Sequence, residues 1–158
     1  MDSIIQNKTP EQIAQIVLEL VPQKHPFRFL DRIVELGEES ITGQYTFRTD
    51  EFFFAGHFPG HPLTPGVIMI EAMAQTGVVA YGIYLMLKEG KSRPDQFLTV
   101  FTDVNAEFLR QVNPGETVTI KAEKIFWRRN KLKAKVELFL ANGDLAAHAT
   151  LSGVGIQR

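Results

Sequence analysis

The sequence predicts an α+β fold: one antiparallel sheet wrapped around one long buried helix. Three observations predict it. The helix opened by Pro65-Gly66 and running to about Lys88 carries apolar residues at nearly every angle, so it lacks a wet face and belongs in a core. Segments of the second half alternate apolar and polar with period 2, as antiparallel strands with one solvated face do. The chain has 158 residues, 44% of them hydrophobic, which suits a single domain over 1–158 that needs no staple.

The elements follow in order. Thr9 before Pro10, Glu11 and Gln12 is a capping-box pattern with Pro at the first helical position. Ile13, Ile16, Val17 and Leu20 then form one apolar stripe, and Pro22 ends the helix. Phe29 to Leu36 and Ile41 to Phe47 read as strands joined by the turn Gly37-Glu38-Glu39-Ser40. From Arg48 to Pro65, four phenylalanines mix with Gly56, Pro59, Gly60 and Pro62, so no regular element fits. A loop that long in a compact domain points to function.

After the buried helix come four strands. Phe97 to Asn105 is the first, followed by the turn Asn113-Pro114-Gly115. Val118, Ile120 and Ala122 alternate with Thr117, Thr119, Lys121 and Glu123. Leu132, Ala134, Val136, Leu138 and Leu140 alternate with Lys131, Lys133, Lys135 and Glu137. Asn142-Gly143 is a two-residue hairpin signal before Leu145 to Leu151.

Composition excludes whole classes of chemistry. There is no cysteine, hence no disulfide, thiolate metal site or cysteine nucleophile. With 17 Lys+Arg against 18 Asp+Glu the net charge is −1, unlike a general nucleic-acid binder. The start MDSIIQNKTPEQ lacks the basic-then-apolar run of a signal peptide. The most apolar stretch, Val78 to Leu87, is shorter than the roughly 20 residues that cross a bilayer. The expectation is a soluble, cytoplasmic protein without a membrane span.

Glu71 interrupts the apolar helix. Burial disfavours its ionised form and raises its pKa, which makes a general acid at neutral pH. Gln75, four residues on, shares its helix face and is placed to hydrogen-bond it. A carboxylate emerging at an edge or subunit contact would account for Glu71 equally well. His57, in Gly56-His57-Phe58-Pro59-Gly60, has the side chain most used as a general base, with His61, His25 and His148 as rivals. His57, His61 and Glu71 make a conceivable metal set, but no other spacing supports it and no metal is expected. Gly66 opens the buried helix, where free N–H groups suit a developing oxyanion. It is equally an ordinary Pro-Gly helix start.

Gly56-His57-Phe58-Pro59-Gly60-His61-Pro62, Pro65-Gly66-Val67 and Glu71-Ala72-Met73-Ala74-Gln75 together resemble the signature of the hotdog-fold 3-hydroxyacyl-acyl-carrier-protein dehydratases of type II fatty-acid synthesis. Pro26-Phe27, Asp31-Arg32-Ile33, Phe108 and Pro114-Gly115 extend the similarity over roughly residues 15–155. The resemblance implies a hotdog fold and reversible dehydration of a (3R)-hydroxyacyl thioester to the trans-2-enoyl product, without metal or redox cofactor. His57 would take the α-proton, Glu71 would protonate or activate the leaving hydroxyl, directly or through water, and Gly66 would hold the thioester oxygen. Val67, Phe58 and Gln75 would complete the substrate site. It also implies a homodimer with His and Glu supplied by opposite subunits, assembled as a trimer of dimers.

One run departs from the family pattern: in Pro22-Gln23-Lys24-His25-Pro26-Phe27, Gln23 and His25 replace a histidine and an aromatic. The resemblance places this run near the tunnel entrance or carrier face, so the change bears on substrate range. The substrate would arrive on acyl carrier protein, which is acidic. Arg128 and Arg129, with Lys131, Lys133 and Lys135, offer a basic hairpin to steer it. The wet face of an edge strand would look the same. Two other functions compete: a hotdog thioesterase that uses Glu71 to activate water, and a non-catalytic hotdog partner subunit.

Overall fold

The computed structural model describes residues 4–91 and 93–158; residues 1–3 of the N-terminal run, and Ser92, lie outside the described residues. Helix α1 (Pro10–Leu20) starts as its sequence dictates. The Gln12 N–H donates to Thr9 Oγ1 while Gln12 Oε1 accepts from the Thr9 N–H, closing the capping box. Strands β1 (Arg32–Leu36), β2 (Ser40–Thr46), β3 (Phe97–Phe108), β4 (Thr117–Arg128), β5 (Lys131–Phe139) and β6 (Leu145–Gln157) form one sheet in the order β1-β2-β4-β5-β6-β3. Every neighbouring pair is antiparallel.

The central helix, Gly66–Lys88, lies against this sheet. It consists of α2 (Gly66–Ala74), a π-helical stretch over Gln75–Ala80, and α3 (Tyr81–Lys88). From Ala72 to Leu87 every residue is buried. Met73, Val78, Tyr81 and Leu87 pack in the same cluster as Ile120, Leu132, Val136 and Leu151 from the sheet. Each such side chain contributes about 1.5–3 kcal/mol on leaving water. Contact is closest where side chains are missing. A Cβ on Gly77 would sit 2.7 Å from Val136 Cγ2, and one on Gly43 of β2 would sit 2.9 Å from Thr76 Oγ1.

The structure revises several expectations. β1 begins at Arg32 rather than Phe29: Phe29 and Leu30 are buried, but the chain there is tied to the helix and not to a strand. β3, β4 and β6 run on to Phe108, Arg128 and Gln157, since ladder pairing continues beyond the clean alternation. The central helix has 23 residues, so its length does not exclude a membrane span; its burial within the fold, complete from Ala72 to Leu87, marks it as a core helix. Its first turn is not apolar-buried either, because Val67 is 72% exposed. The basic hairpin lies on β4 and β5, inside the sheet, so its lysines do not guard an edge. The edges are β1, against which α1 packs, and β3. β3 exposes Val100, Phe101, Val104 and Phe108.

Candidate active site

The loop from Arg48 to Pro65 is anchored at its start by aromatic and ionic contacts. Phe53 packs on Phe54, Phe29 and Phe47 with ring centroids 4.7, 6.1 and 6.4 Å apart. The Tyr45 hydroxyl donates to Glu51 Oε1 at 2.7 Å, and Arg48 donates to Asp31 Oδ1 at 3.0 Å. The loop then doubles back on itself. The Leu63 N–H donates to the His57 carbonyl at 2.8 Å, and Phe58 and His61 exchange backbone bonds of 3.0 and 2.8 Å.

This hairpin fixes the His57 ring. Its Nδ1 lies 2.9 Å from the Leu63 carbonyl oxygen. A carbonyl only accepts, so Nδ1 carries the hydrogen and the neutral ring keeps its lone pair on Nε2. Phe58 stacks on the imidazole at 4.1 Å, and the peptide bond between the two residues is cis. His57 is half-buried and Phe58 exposed, an imidazole base held in one tautomer at the surface of this chain.

Pro65 caps the central helix without a side-chain bond, and its carbonyl accepts from the Ile68 and Met69 N–H groups at 3.0 and 3.1 Å. The N–H groups of Gly66 and Val67 come earlier and have no backbone acceptor among the described residues. A Cβ on Gly66 would meet the Phe108 ring at 3.1 Å, so glycine lets β3 approach the helix start.

Glu71 is half-buried one turn further along. Burial pushes its carboxyl above the usual carboxylate range, opposed by a hydrogen bond from Gln75. Gln75 is fully buried and uses both ends of its amide. Nε2 donates to Glu71 Oε1 at 3.0 Å and to the Phe27 carbonyl at 2.9 Å, and Oε1 accepts from the Phe29 N–H at 2.6 Å. A pocket of about 270 Å³ opens beside Glu71, lined by Gln23, Val78, Val79, Thr99, Val100 and Phe101 among others. A carboxyl whose protonated form is favoured by burial, lining a largely apolar pocket, is placed to give a proton to a bound oxygen.

Of the residues singled out in the sequence, Glu71 and Gln75 come together, while His57 does not line the Glu71 pocket. His61 is exposed, His148 faces Glu107 at 3.4 Å, and His25 lines a separate pocket with Arg28, Arg48 and Glu51. Among the described residues no three His, Asp or Glu side chains are grouped to hold a metal. Arg128 and Arg129 are exposed where β4 turns into β5, Arg129 with φ 49°. Sequence reasoning missed the Leu63 carbonyl that orients His57, and it placed the Gln23 run near a tunnel entrance or carrier face without seeing that Gln23 lines the Glu71 pocket. The mismatch with the family run at Gln23 was the available signal.

Residues 21–150 match the FabA-like domain family. The chain is 38% identical over 138 residues to the 3-hydroxyacyl-[acyl-carrier-protein] dehydratase FabZ of Acetivibrio thermocellus, covering 85% of this chain and 88% of that one. It is 33% identical to the FabZ of Chlamydia trachomatis serovar L2, over 96% of this chain and 97% of that one. Among solved structures, the dehydratase heterocomplex ApeI:P of Xenorhabdus doucetiae superposes with a TM-score of 0.75 at 14% identity, covering 90% of this chain and 91% of that one, a likeness of fold. The chain therefore belongs to the FabA-like, hotdog-fold family, among the 3-hydroxyacyl-[acyl-carrier-protein] dehydratases of the FabZ type.

Proposed function

We propose that this chain removes water reversibly from (3R)-hydroxyacyl-acyl-carrier-protein to give trans-2-enoyl-acyl-carrier-protein in fatty-acid or related acyl synthesis. The FabZ relatives support the reaction, and the position of Glu71 carries the assignment of roles: a carboxyl with its pKa raised by burial, beside an apolar pocket. His57 Nε2 takes the α-proton as the Cα–Cβ double bond forms. The Cβ–O bond breaks, and the departing hydroxide takes the Glu71 proton to leave as water. The proton on His57 returns to Glu71 through solvent, closing the cycle. The free Gly66 and Val67 N–H groups hold the thioester oxygen as it gains charge. Phe58 fixes the imidazole and Gln75 the carboxylate.

The unit of activity is a homodimer, with His57 of one subunit facing Glu71 of the other. Two observations support it. His57 stands apart from the Glu71 pocket, and β3 is a 12-residue edge strand exposing Val100, Phe101, Val104 and Phe108. A long apolar edge invites pairing with a second copy. Three dimers make the hexamer, the site is cytoplasmic, and the partner is an acidic carrier met by Arg128 and Arg129. No cofactor enters the scheme. Incubation with a 3-hydroxyacyl-carrier substrate tests the reading. Enoyl product that disappears in His57→Ala and Glu71→Gln supports it. Free thiol without enoyl formation would instead indicate a thioesterase, and neither signal a binding subunit.

A further inference from the structure

Strand β6 carries two glycines on one face, Gly153 and Gly155, and only one of them lacks room for a side chain. Gly153 is buried and pairs with Phe101 of β3 and Leu132 of β5. A Cβ there would lie 2.8 Å from Thr99 Cγ2, 3.2 Å from Val78 Cγ1 and 3.2 Å from the Val100 carbonyl oxygen. On Gly155 it would meet Asn130 at 3.5 Å and Phe97 at 3.6 Å, ordinary van der Waals distances. Neither glycine has positive φ, so space and not backbone strain separates the two positions.

The atoms that a Cβ at Gly153 would crowd belong to Thr99, Val100 and Val78, and all three residues line the Glu71 pocket. The close approach is made entirely within one chain. Thr99 leans its methyl into the space that a side chain at Gly153 would fill, and Val78 leans in from the helix, so the pocket wall is set back against β6. Thr99 is stiff at χ1 and Val100 is held in the β3–β6 ladder, so an added methyl would push that wall outward into the pocket. The place of this wall decides which part of the substrate feels it. Glu71, Ala74 and Val78 line the pocket along the central helix, Val78 roughly 10 Å beyond Glu71 at about 1.5 Å per residue. With the reacting β-carbon beside Glu71, the carbons that follow run toward Val78 and Thr99. We infer that Gly153 is a specificity-determining residue: by letting Thr99 and Val78 lie back against β6, it keeps the far part of the pocket open to long acyl chains. This rests on the dehydratase reading above. A chain that ends near Glu71 does not reach the wall, whereas a longer one must pass it, so Gly153 acts on chain length and not on the reaction.

The test compares Gly153→Ala and Gly155→Ala with the unsubstituted protein on 3-hydroxybutyryl-carrier and 3-hydroxydecanoyl-carrier substrates. In Gly153→Ala, kcat/KM for the long chain should fall about tenfold or more relative to the short one, the discrimination that one methylene supplies in an apolar pocket. Gly155→Ala should leave the ratio as it is. An equal loss on both substrates, no loss on either, or the same shift in Gly155→Ala overturns the role of Gly153. So does an unsubstituted protein that dehydrates the short substrate and not the long one. Should Gly153→Ala not fold, Thr99→Ser decides, because it removes the Cγ2 methyl from the same wall: a ratio shifted toward the long chain supports the role, and an unchanged ratio overturns it. An unsubstituted protein that forms no enoyl product from either substrate overturns the dehydratase reading instead, so the two failures are distinct.

Discussion

Gln75 Nε2 lies 3.0 Å from Glu71 Oε1, one turn along the central helix, while its Oε1 receives the Phe29 N–H at 2.6 Å. One amide thus joins the candidate acid to the buried segment before β1. Gln75→Leu keeps the bulk and removes the join. The buried Phe29 N–H loses its acceptor, which costs about 1–3 kcal/mol. A urea midpoint shifted down at unchanged slope is the expected result. An unshifted midpoint would mean that the segment does not depend on Gln75.

Glu71 makes stability depend on pH in a defined direction. Its folded pKa is raised by burial, so the folded state prefers the protonated carboxyl. That contribution is fully present below the unfolded pKa, about 4.3, and is lost as pH rises through the folded value. Glu71→Gln abolishes the titration. Melting temperatures of the two proteins should therefore converge below the unfolded pKa and separate as pH rises through the folded value, with Glu71→Gln the more stable above it. Dehydration by the unsubstituted enzyme falls as pH rises through the same folded value, as the proton donor is lost. A gap that stays constant with pH would show that Glu71 feels no burial.

Gly77 faces β5 across a gap that admits no methyl group. Gly77→Ala puts a Cβ 2.7 Å from Val136 Cγ2 and 3.2 Å from Ala122 Cβ, so overpacking should cost about 1–3 kcal/mol. Val136→Ala removes the clashing methyls, and the double variant should lose less than the sum of the single losses by about 0.5–3 kcal/mol. Denaturation of all four proteins in one cycle measures this coupling.

The fold was legible because its patterns are local. Thr9 to Gln12 and the alternation in β4 and β5 depend on near neighbours and form as read. Asn142-Gly143, by contrast, turns the chain not as a two-residue hairpin but within a three-residue loop, Ala141 to Gly143, in which the Leu140 N–H donates to the Asp144 carbonyl and Gly143 alone takes positive φ. Glu71 with Gln75 was legible for the same reason, since helix periodicity sets their spacing. What escaped depends on residues distant in sequence. Nothing near Leu63 says that its carbonyl meets an imidazole, and the Phe29 N–H, outside the strand ladder, goes to Gln75, 46 positions away. The strand order that puts β4 and β5 inside the sheet is likewise set by long-range pairing. Gln23 was visible as an odd residue, but its place beside Glu71 needed the third dimension.

Arg128 and Arg129 give a prediction about encounter rather than chemistry. Both are exposed at the β4–β5 turn, and an acidic carrier would be steered to them from a distance. Arg128→Glu with Arg129→Glu should raise KM for carrier-bound substrate and leave kcat unchanged. The difference should shrink at high salt, because the Debye length falls to about 3 Å at 1 M. An unchanged KM at low salt would remove the hairpin from the docking surface.

Shared sites can be tested by mixing inactive subunits. His57→Ala and Glu71→Gln each lack one half of the proposed pair, so each homodimer has two broken sites. Refolded together in equal amounts, half of the dimers are mixed. In a mixed dimer one site combines the intact His57 of one chain with the intact Glu71 of the other, and the second site has neither. The mixture should recover about a quarter of the unsubstituted activity, as two-fold symmetry requires. If both residues of a site came from one chain, every site would lack one of them and mixing would recover nothing. Val104→Lys on the apolar β3 edge, outside the Glu71 pocket, supplies the control: it should separate the subunits, seen by sedimentation, and abolish activity although His57 and Glu71 are both intact.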